Sequence, residues 1–228
     1  MIKRLCYNRI VMKVKICGIT NLDDALVAAE AGADYLGFIF YPPSKRTTNV
    51  ADVQGMVAQL RQLPRCPLLV GVFVDETAVY MADVLHKCHL DLAQLSGNEV
   101  PKLIGDPESP IYGRSYKALR PTSLEEAQAD AEWFLPPKMA PGQPSILLET
   151  YHPNLFGGTG ETGNWPISAQ LAQELPGIML AGGLTPDNVA SAVAQVHPFA
   201  VDVASGVEAS PGKKDHNRLR AFITNAKR

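Results

Sequence analysis

The sequence predicts an α/β protein, a single (β/α)8 TIM barrel with a parallel eight-stranded core. Short apolar runs alternate with longer amphipathic stretches, a pattern that is typical of parallel strands joined by helices. Eight such runs occur in 228 residues, and a barrel of eight units needs at least about 200 residues. A doubly wound open sheet also fits the alternation, but the length and the count of eight favour the barrel.

The predicted strands are short, and several are apolar almost without interruption, as expected where both faces of a sheet are covered. Most of them are followed by a helical pattern, which implies that the strands pair in parallel. In chain order the predicted strands are Val14–Ile16, Tyr35–Phe40, Leu68–Val74, Leu92–Leu95, Tyr116–Ala118, Ile146–Leu148, Ile178–Ala181 and Ala200–Val203.

The stretches between the strands carry apolar residues at the spacing of one helix face. Asn21 precedes the first helix and can cap it, and Thr185-Pro186 combines a capping hydroxyl with a proline suited to the first helical position. The unit between residues 97 and 115 is the weakest, with a short or irregular helix. Residues 136–144 are predicted to form an exposed loop before the sixth strand. The helical patterns begin at Leu22, Val53, Ala78, Val189 and Leu219.

Composition and charge argue against several functional classes. The chain has 21 Lys and Arg against 23 Asp and Glu, a net charge of −2, which disfavours nucleic acid as the main partner. Its longest apolar run falls far short of the ~20 residues that span a bilayer, so no membrane association is expected. The cysteines at positions 6, 17, 66 and 88 form no C-x-x-C pair, which matches neither a zinc site nor a disulfide framework. We therefore expect a cytoplasmic monomer or homodimer without a metal.

The N-terminus is predicted to lie outside the barrel. Residues 1–11 alternate charged and apolar groups and lack the apolar core of a signal peptide. Met12 begins a cleaner strand than Met1 does. The predicted organisation is an N-terminal extension over residues 1–11 and a catalytic barrel over residues 12–228.

Two glycine-containing turns follow the last two predicted strands. In a barrel of this kind the active site lies at the carboxyl ends of the strands, and a phosphate site after strands seven and eight is recurrent. Gly182-Gly183 and Ser205-Gly206 leave backbone N–H groups that can converge on an anion. These turns favour a phosphorylated small-molecule ligand, with plain tight turns as the alternative.

Cys17 ends the first predicted strand, and Lys15 lies two residues earlier on the same face. A nearby ammonium favours the thiolate, which would make Cys17 a usable base. The alternative is a small buried hydrophobic residue.

A carboxyl group is predicted opposite this thiol. Glu149 ends the sixth strand, three steps from the first around a ring of eight, and the pair suits proton transfer at two atoms of one substrate. Asp202 lies inside an apolar strand, where an unpaired carboxylate is costly, so it should face a polar pocket or a partner. Arg46 can bind a ligand carboxylate or remain a solvated loop charge. A helix cap or a salt bridge is the alternative role for Glu149.

Two further features allow two interpretations each. Asp75 can cap a helix or contact a ligand, and the loop Gly157–Gly160 has the composition of either a lid or a simple connection. The five histidines show no metal-like spacing, and only His152 is predicted near the site.

Taken in order, these segments resemble phosphoribosylanthranilate isomerase, an enzyme family of tryptophan biosynthesis. The resemblance runs from about Met12 to the C-terminus and includes nearly every strand–helix unit. The segments that carry it are V-K-I-C-G-I-T, G-F-I-F-Y-P-P-S-K-R, V-G-V-F-V-D, G-G-T-G, L-A-G-G-L-T-P-D-N-V and V-D-V-A-S-G-V-E.

The resemblance implies an Amadori rearrangement, in which N-(5-phosphoribosyl)anthranilate becomes 1-(2-carboxyphenylamino)-1-deoxyribulose 5-phosphate without a metal or an organic cofactor. It implies general acid–base catalysis, with Cys17 as the base that removes the ribose C2 proton. Glu149 stands where the family has the aspartic acid that protonates the furanose oxygen and opens the ring. Arg46 matches a residue that contacts anthranilate, and Asp202 matches one near the sugar hydroxyls. The residues that match the phosphate loops are Gly182, Gly183, Ser205 and Gly206.

Three departures from the family pattern fall at or near the site. Glu149 is one methylene longer than the usual aspartate, Ser96 stands where a histidine is usual, and Gly163-Asn164 replaces a common Phe-Asp pair. We expect these changes to alter the rate of turnover rather than to abolish the activity. Two other functions fit the residues: an enzyme for a different sugar phosphate, and a silent barrel that only binds a phosphorylated metabolite.

Overall fold

The computed structural model describes residues 12–149 and 165–228, and within them it confirms the predicted barrel. Eight parallel strands close into one sheet in sequential order, with each strand paired to its neighbours in the chain and β1 paired to β8. The strands of the barrel are β1 (Lys13–Cys17), β2 (Tyr35–Ile39), β3 (Leu68–Phe73), β4 (Leu92–Leu95), β5 (Ser115–Leu119), β6 (Ile146–Leu148), β7 (Ile178–Leu180) and β8 (Ala200–Val203).

Helices follow the strands. The first begins as predicted, because the side chain of Asn21 accepts a hydrogen bond from the backbone N–H of Asp24 at 2.9 Å. The fourth has only four residues, as expected for the weak unit between residues 97 and 115. The helices are α1 (Leu22–Glu30), α2 (Val50–Leu60), α3 (Ala78–Lys87), α4 (Lys102–Gly105), α5 (Leu124–Phe134), α6 (Trp165–Glu174), α7 (Val189–Val196) and α8 (His216–Ala226).

Two apolar layers hold the barrel together. Side chains that alternate along the strands fill the barrel interior, where Tyr35, Tyr116 and Met179 are buried. The intervening side chains pack outward against the helices, with Phe38 on β2 and Phe222 on α8 among the fully buried residues. This packing fixes which strand residues can reach the open end of the barrel.

One predicted helix start is wrong in position. The helical pattern at Thr185-Pro186 begins with a turn, and α7 itself begins at Val189. The side chain of Asn188 accepts from the backbone N–H of Thr185 at 2.8 Å and donates to the carbonyl of Gly183 at 2.9 Å. The Asn188 side chain therefore makes the hydrogen bonds of this turn, where the Thr185 hydroxyl was expected to cap the helix.

A short hairpin after β8 was not predicted. Strands β9 (Glu208–Ser210) and β10 (Lys213–Lys214) pair antiparallel outside the barrel, after a single 3-10 turn over Ser205–Val207. No helix in the described part of the chain is long and apolar enough to cross a membrane.

Several predictions concern residues outside the described ranges. These are the N-terminal extension over residues 1–11, the loop Gly157–Gly160, His152 and the Gly163-Asn164 departure.

Candidate active site

The carboxyl ends of the barrel strands surround a pocket that brings four predicted residues together. Cys17 comes from β1, Arg46 from the loop after β2, Glu149 from the end of β6 and Asp202 from β8. Apolar side chains of β2, β3 and β6 complete part of the lining, with Ile39, Val72 and Leu147 among them. The pocket therefore has a thiol, carboxyl groups and a cation around an apolar surface.

Cys17 and Lys15 share a space that a glycine provides. Cys17 pairs in register with Gly37 on β2, and a Cβ at Gly37 would lie 2.8 Å from the Cys17 sulfur and 3.2 Å from Lys15 Nζ. Only the absence of a side chain at this position lets both groups sit at the mouth of the barrel. Cys17 is 5% exposed and lines the pocket, so most of the residue is packed.

Lys15 is fully buried and carries its own counterion. Its Nζ donates to Oδ1 of Asp202 at 3.1 Å, and Lys15 and Asp202 are paired in register across β1 and β8. Burial alone would lower the pKa of Lys15, but the charge of Asp202 and the neighbouring Cys17 outweigh it and raise the pKa. Lys15 therefore stays an ammonium beside the thiol.

The ammonium does not bring the pKa of the thiol below its usual value. Burial raises the pKa of Cys17, Lys15 lowers it, and the charge of Asp202 raises it again, so that the net direction is upward. The sequence correctly predicted that Lys15 and Cys17 are close. It did not predict that desolvation exceeds the effect of the ammonium, because the depth of a side chain depends on the tertiary packing.

Glu149 is held by an arginine that the sequence interpretation missed. Arg120 directly follows β5, and its Nε lies 3.3 Å from Oε2 of Glu149. Its Nη2 donates to the backbone carbonyl of Ser96 at 2.8 Å. Both Arg120 and Glu149 line the pocket, so the carboxyl group and its cation face the same space as Cys17.

Two buried hydrogen bonds in series link Tyr116, Gln94 and Ser96. The hydroxyl of Tyr116 donates to Oε1 of Gln94 at 3.0 Å, and Nε2 of Gln94 donates to Oγ of Ser96 at 3.1 Å. Because the serine oxygen accepts from the amide, its own proton is available to donate elsewhere. Ser96 and Gln94 both line the pocket.

Arg46 is fixed by the hairpin after β8. Its Nε and Nη2 each donate to one oxygen of the Glu208 carboxylate at 2.8 Å, in the forked geometry that arginine favours. Lys214 donates to the same carboxylate at 3.0 Å. Burial would raise the pKa of Glu208, but hydrogen bonds from Arg46 and the charge of Lys214 hold it below its usual value. Glu208 therefore holds the Arg46 guanidinium in a fixed position in the lining of the pocket.

The predicted glycine turns form an adjoining depression. Gly182 and Gly183 have φ values of +89° and +62°, a conformation that glycine adopts without strain. A Cβ at Gly206 would clash with the Leu184 carbonyl oxygen, so this turn also requires glycine. With Ser205, these residues line a depression that shares Glu149, Asp202 and Ala204 with the larger pocket.

Asp75 has a structural role in the described part of the chain. It does not cap α3, because Thr77 does so. Its Oδ1 accepts from the backbone N–H of Asn98 at 2.5 Å, which ties the turn after β4 to the end of β3.

The sequence interpretation missed several residues of the site. Arg120 could have been predicted from its position directly after a strand, where site residues were expected. Glu208 had a weaker signal, at the end of the V-D-V-A-S-G-V-E segment. Gln94 lies inside an apolar strand, as Asp202 does, and the same argument from buried polarity could have found it.

Comparisons with known proteins point to one family. The family model described as N-(5'-phosphoribosyl)anthranilate isomerase matches residues 14–225. A protein of that name from Trichlorobacter lovleyi is 44% identical over 216 residues, which cover 95% of this chain and 98% of the relative.

Solved structures show the same similarity. Phosphoribosyl anthranilate isomerase from Thermotoga maritima aligns with a TM-score of 0.81 and 39% identity, over 95% of this chain and 98% of that one. A structure of such an isomerase in complex with reduced 1-(o-carboxyphenylamino)-1-deoxyribulose 5-phosphate aligns with a TM-score of 0.78 and 38% identity, over the same shares of the two chains. The match to the family model and the identity over nearly the whole length show that this chain belongs to the N-(5'-phosphoribosyl)anthranilate isomerase family.

Proposed function

We propose that the chain isomerises N-(5-phosphoribosyl)anthranilate by general acid–base catalysis, with Cys17 as the base and Glu149 as the acid. The isomerisation is that of its family in tryptophan biosynthesis. The observation that carries the assignment is the shared pocket, in which the thiol and the carboxyl group face one space that continues into the glycine-lined depression.

The reaction needs one acid and one base at different atoms of the sugar. Glu149 gives a proton to the furanose ring oxygen, the bond from C1 to that oxygen breaks, and the nitrogen lone pair forms a C1=N bond. The resulting iminium acidifies the proton on C2. The Cys17 thiolate removes that proton, the C–H electrons form a C1=C2 bond, and the C1=N pair returns to nitrogen. The enolamine then takes a proton at C1 and loses one from its C2 hydroxyl, which gives the ketone.

The neighbours of Cys17 support its role as the base. The ammonium of Lys15 stabilises the thiolate when it forms, and Asp202 keeps Lys15 in place through the 3.1 Å contact. Because burial raises the pKa of the thiol, the thiolate that does form is poorly solvated and a stronger base than an exposed one.

The other site residues are assigned to binding. The backbone around Gly182, Gly183, Ser205 and Gly206 is proposed to hold the substrate phosphate, because its glycines let main-chain N–H groups approach an anion closely. Arg46 and Lys15 are proposed to contact the substrate or to stabilise charge beside it. Asp202 lines the pocket and is proposed to bind the sugar hydroxyls.

Two substitutions test the assignment. Cys17→Ala and Glu149→Gln should each lower kcat by about 10² to 10⁴-fold, the range for loss of a general acid or base. KM should change little, because neither group is assigned to ground-state binding. The measurement is the fluorescence of the anthranilate group as the substrate is consumed. An undiminished kcat in either variant would reject the role of that residue.

Cys66→Ala provides a matched control for the thiol. Cys66 is partly buried and hydrogen-bonds to Arg61 and to the Pro67 carbonyl, away from the pocket lining. Its replacement should leave kcat and KM unchanged.

A further inference from the structure

A buried lysine in the hairpin after β8 has no role in the proposed chemistry. Lys214 is the last residue of β10, and its side chain is fully buried. Its register partner on β9 is Glu208, and its Nζ donates to Oε1 of that carboxylate at 3.0 Å. The carboxylate offsets part of the cost of burying the ammonium. The hairpin therefore carries a charged pair into the interior of the protein.

The ammonium of Lys214 also binds the backbone at the ends of two barrel strands. Its Nζ donates to the carbonyl of Cys17 at 2.7 Å and to the carbonyl of Ala204 at 3.1 Å. Because a peptide group is planar and trans, a fixed carbonyl also fixes the direction of the N–H that follows it, here those of Gly18 and Ser205. Lys214 therefore fixes the backbone both at the thiol and at the turn after β8.

The same charged pair reaches the arginine of the pocket. Glu208 accepts two 2.8 Å hydrogen bonds from Arg46. The stem of Arg46 also packs over the turn after β1, since a Cβ at Gly18 would lie 2.7 Å from Arg46 Cδ. One connected set of contacts therefore joins the backbone of Cys17, the ammonium of Lys214 and the guanidinium of Arg46.

The hairpin itself is held by two helices. The backbone N–H of Lys214 donates to Oδ2 of Asp24 on α1 at 2.8 Å. The Arg218 side chain on α8 donates to the backbone carbonyl of Glu208 at 3.1 Å. The lysine thus extends from a backbone that is fixed on both strands of the hairpin, which suits a group that has to hold others in place.

We propose that Lys214 is a positioning residue that holds the thiol of Cys17 and the guanidinium of Arg46 in one fixed arrangement. It acts through the Cys17 carbonyl on one side and through the Glu208 carboxylate on the other. The inference rests on the proposed roles of Cys17 and Arg46.

The two connections of Lys214 act on different kinetic constants. The bond to the carbonyl fixes where the thiol lies, and small misplacements of a reacting group lower kcat. The bond to Glu208 keeps Arg46 ordered before the substrate arrives, which lowers the cost of binding and therefore KM.

The test measures kcat and KM with N-(5-phosphoribosyl)anthranilate, together with the free energy of unfolding in urea, for variants of the pair. Glu208→Gln should raise KM by about tenfold, the lower end of the range for hydrogen bonds to a charged group, and should change kcat by less than about threefold. Lys214→Met should raise KM by a similar factor and should also lower kcat by at least about tenfold.

The double variant Lys214→Met/Glu208→Gln separates the two connections. Its KM should equal that of Glu208→Gln, because both substitutions break the same connection to Arg46, and its kcat should equal that of Lys214→Met. The double variant also removes both charges, so it leaves no unpaired buried carboxylate and can be measured even where Lys214→Met does not fold.

Lys227→Met is the matched control. Lys227, at the end of α8, also donates to a backbone carbonyl and to a carboxylate, those of Gly32 and Asp34, each at 2.7 Å. Asp34 directly precedes β2, so this lysine lies at the opposite end of the barrel from the pocket. Its replacement should lower the free energy of unfolding and leave kcat and KM unchanged.

Wild-type kcat in the folded double variant would overturn the proposal, because Lys214 would then only stabilise the fold. Effects on KM that add in the double variant would also overturn it, since the lysine would not act on Arg46 through Glu208. A wild-type protein that does not convert the substrate would refute the proposed function itself. An active wild type with unchanged kinetics in the Lys214 variants would refute only the role of Lys214.

Discussion

At the scale of single residues, the chemistry depends on how Lys15, Cys17 and Asp202 share a small volume. The thiol is buried beside an ammonium, and that ammonium is held by a carboxylate at 3.1 Å. Burial raises the pKa of Cys17 more than Lys15 lowers it. A base with a raised pKa is mostly protonated at neutral pH, so the fraction of active enzyme should depend on pH.

The pH dependence of kcat tests this balance. The thiolate is present only above the pKa of Cys17, which burial raises, so kcat should rise with pH and should still be rising where an ordinary cysteine is already ionised. Lys15→Gln removes a group that lowers this pKa, and it should shift the rising limb to higher pH and reduce kcat at pH 7.

Lys13→Gln is the matched control, because Lys13 lies on the same strand but contacts the ring of Phe199. It should leave the profile unchanged. An unshifted limb in Lys15→Gln would show that the ammonium does not stabilise the base.

The pattern of the sequence predicted these residues only in part. The period of a strand places Lys15 and Cys17 on one face, and an aspartate in an apolar strand indicates a partner or a pocket. The Arg46–Glu208 pair joins residues that are 162 positions apart, and no local pattern indicates such a pair. The contact of Arg120 with Glu149 is missed for the same reason.

At the scale of the elements, periodicity and capping predicted the barrel well. Strand β4 and strand β8 have their predicted bounds, and Asn21 caps α1 as expected. The start of α7 was wrong because the turn after β7 uses the Asn188 side chain instead of the Thr185 hydroxyl. The β9–β10 hairpin has strands of three and two residues, which is too short for a clear alternation.

The neighbouring strand also determines where the thiol of Cys17 can lie. Gly37 on β2 leaves room for the Cys17 sulfur, and a Cβ there would lie 2.8 Å from it. Gly37→Ala should therefore displace the thiol and lower kcat by at least about tenfold, since small misplacements of reacting groups are costly. Steady-state kinetics and the free energy of unfolding in urea are the measurements.

Gly55→Ala is the control for this substitution. No heavy atom lies within 4 Å of a Cβ at Gly55, which is inside α2. Alanine should leave kcat unchanged and stabilise the protein by roughly 0.5–1 kcal/mol, because glycine is a poor helix former. Equal kinetics in the two variants would mean that the space at Gly37 is not needed.

At the scale of the whole molecule, family membership decides between the functions that the residues alone left open. An enzyme for a different sugar phosphate and a silent binding barrel both fitted the glycine turns. The similarity extends over 95% of the chain and 98% of the Trichlorobacter lovleyi isomerase, so the activity follows from the family rather than from the fold.

The domain organisation remains a prediction that a truncation can test. The strand β1 begins at Lys13 and is paired on both sides, and the family model begins at residue 14. Removal of residues 1–11 should therefore leave kcat, KM and Tm unchanged. A fall in Tm of more than about 4 °C, roughly 1 kcal/mol for a domain of this size, would show that these residues are part of the barrel's stability.

The most direct test of the central claim is the effect of deuterium at the ribose C2 on kcat, measured in three forms of the enzyme. We propose that Cys17 removes the C2 proton and that Glu149 opens the ring. Cys17→Ala should therefore make removal of the C2 proton the rate-limiting step and increase the isotope effect. Glu149→Gln makes ring opening limiting and should bring the effect close to one. The same isotope effect in both variants would contradict the assignment of proton removal to the thiol and of ring opening to the carboxyl group.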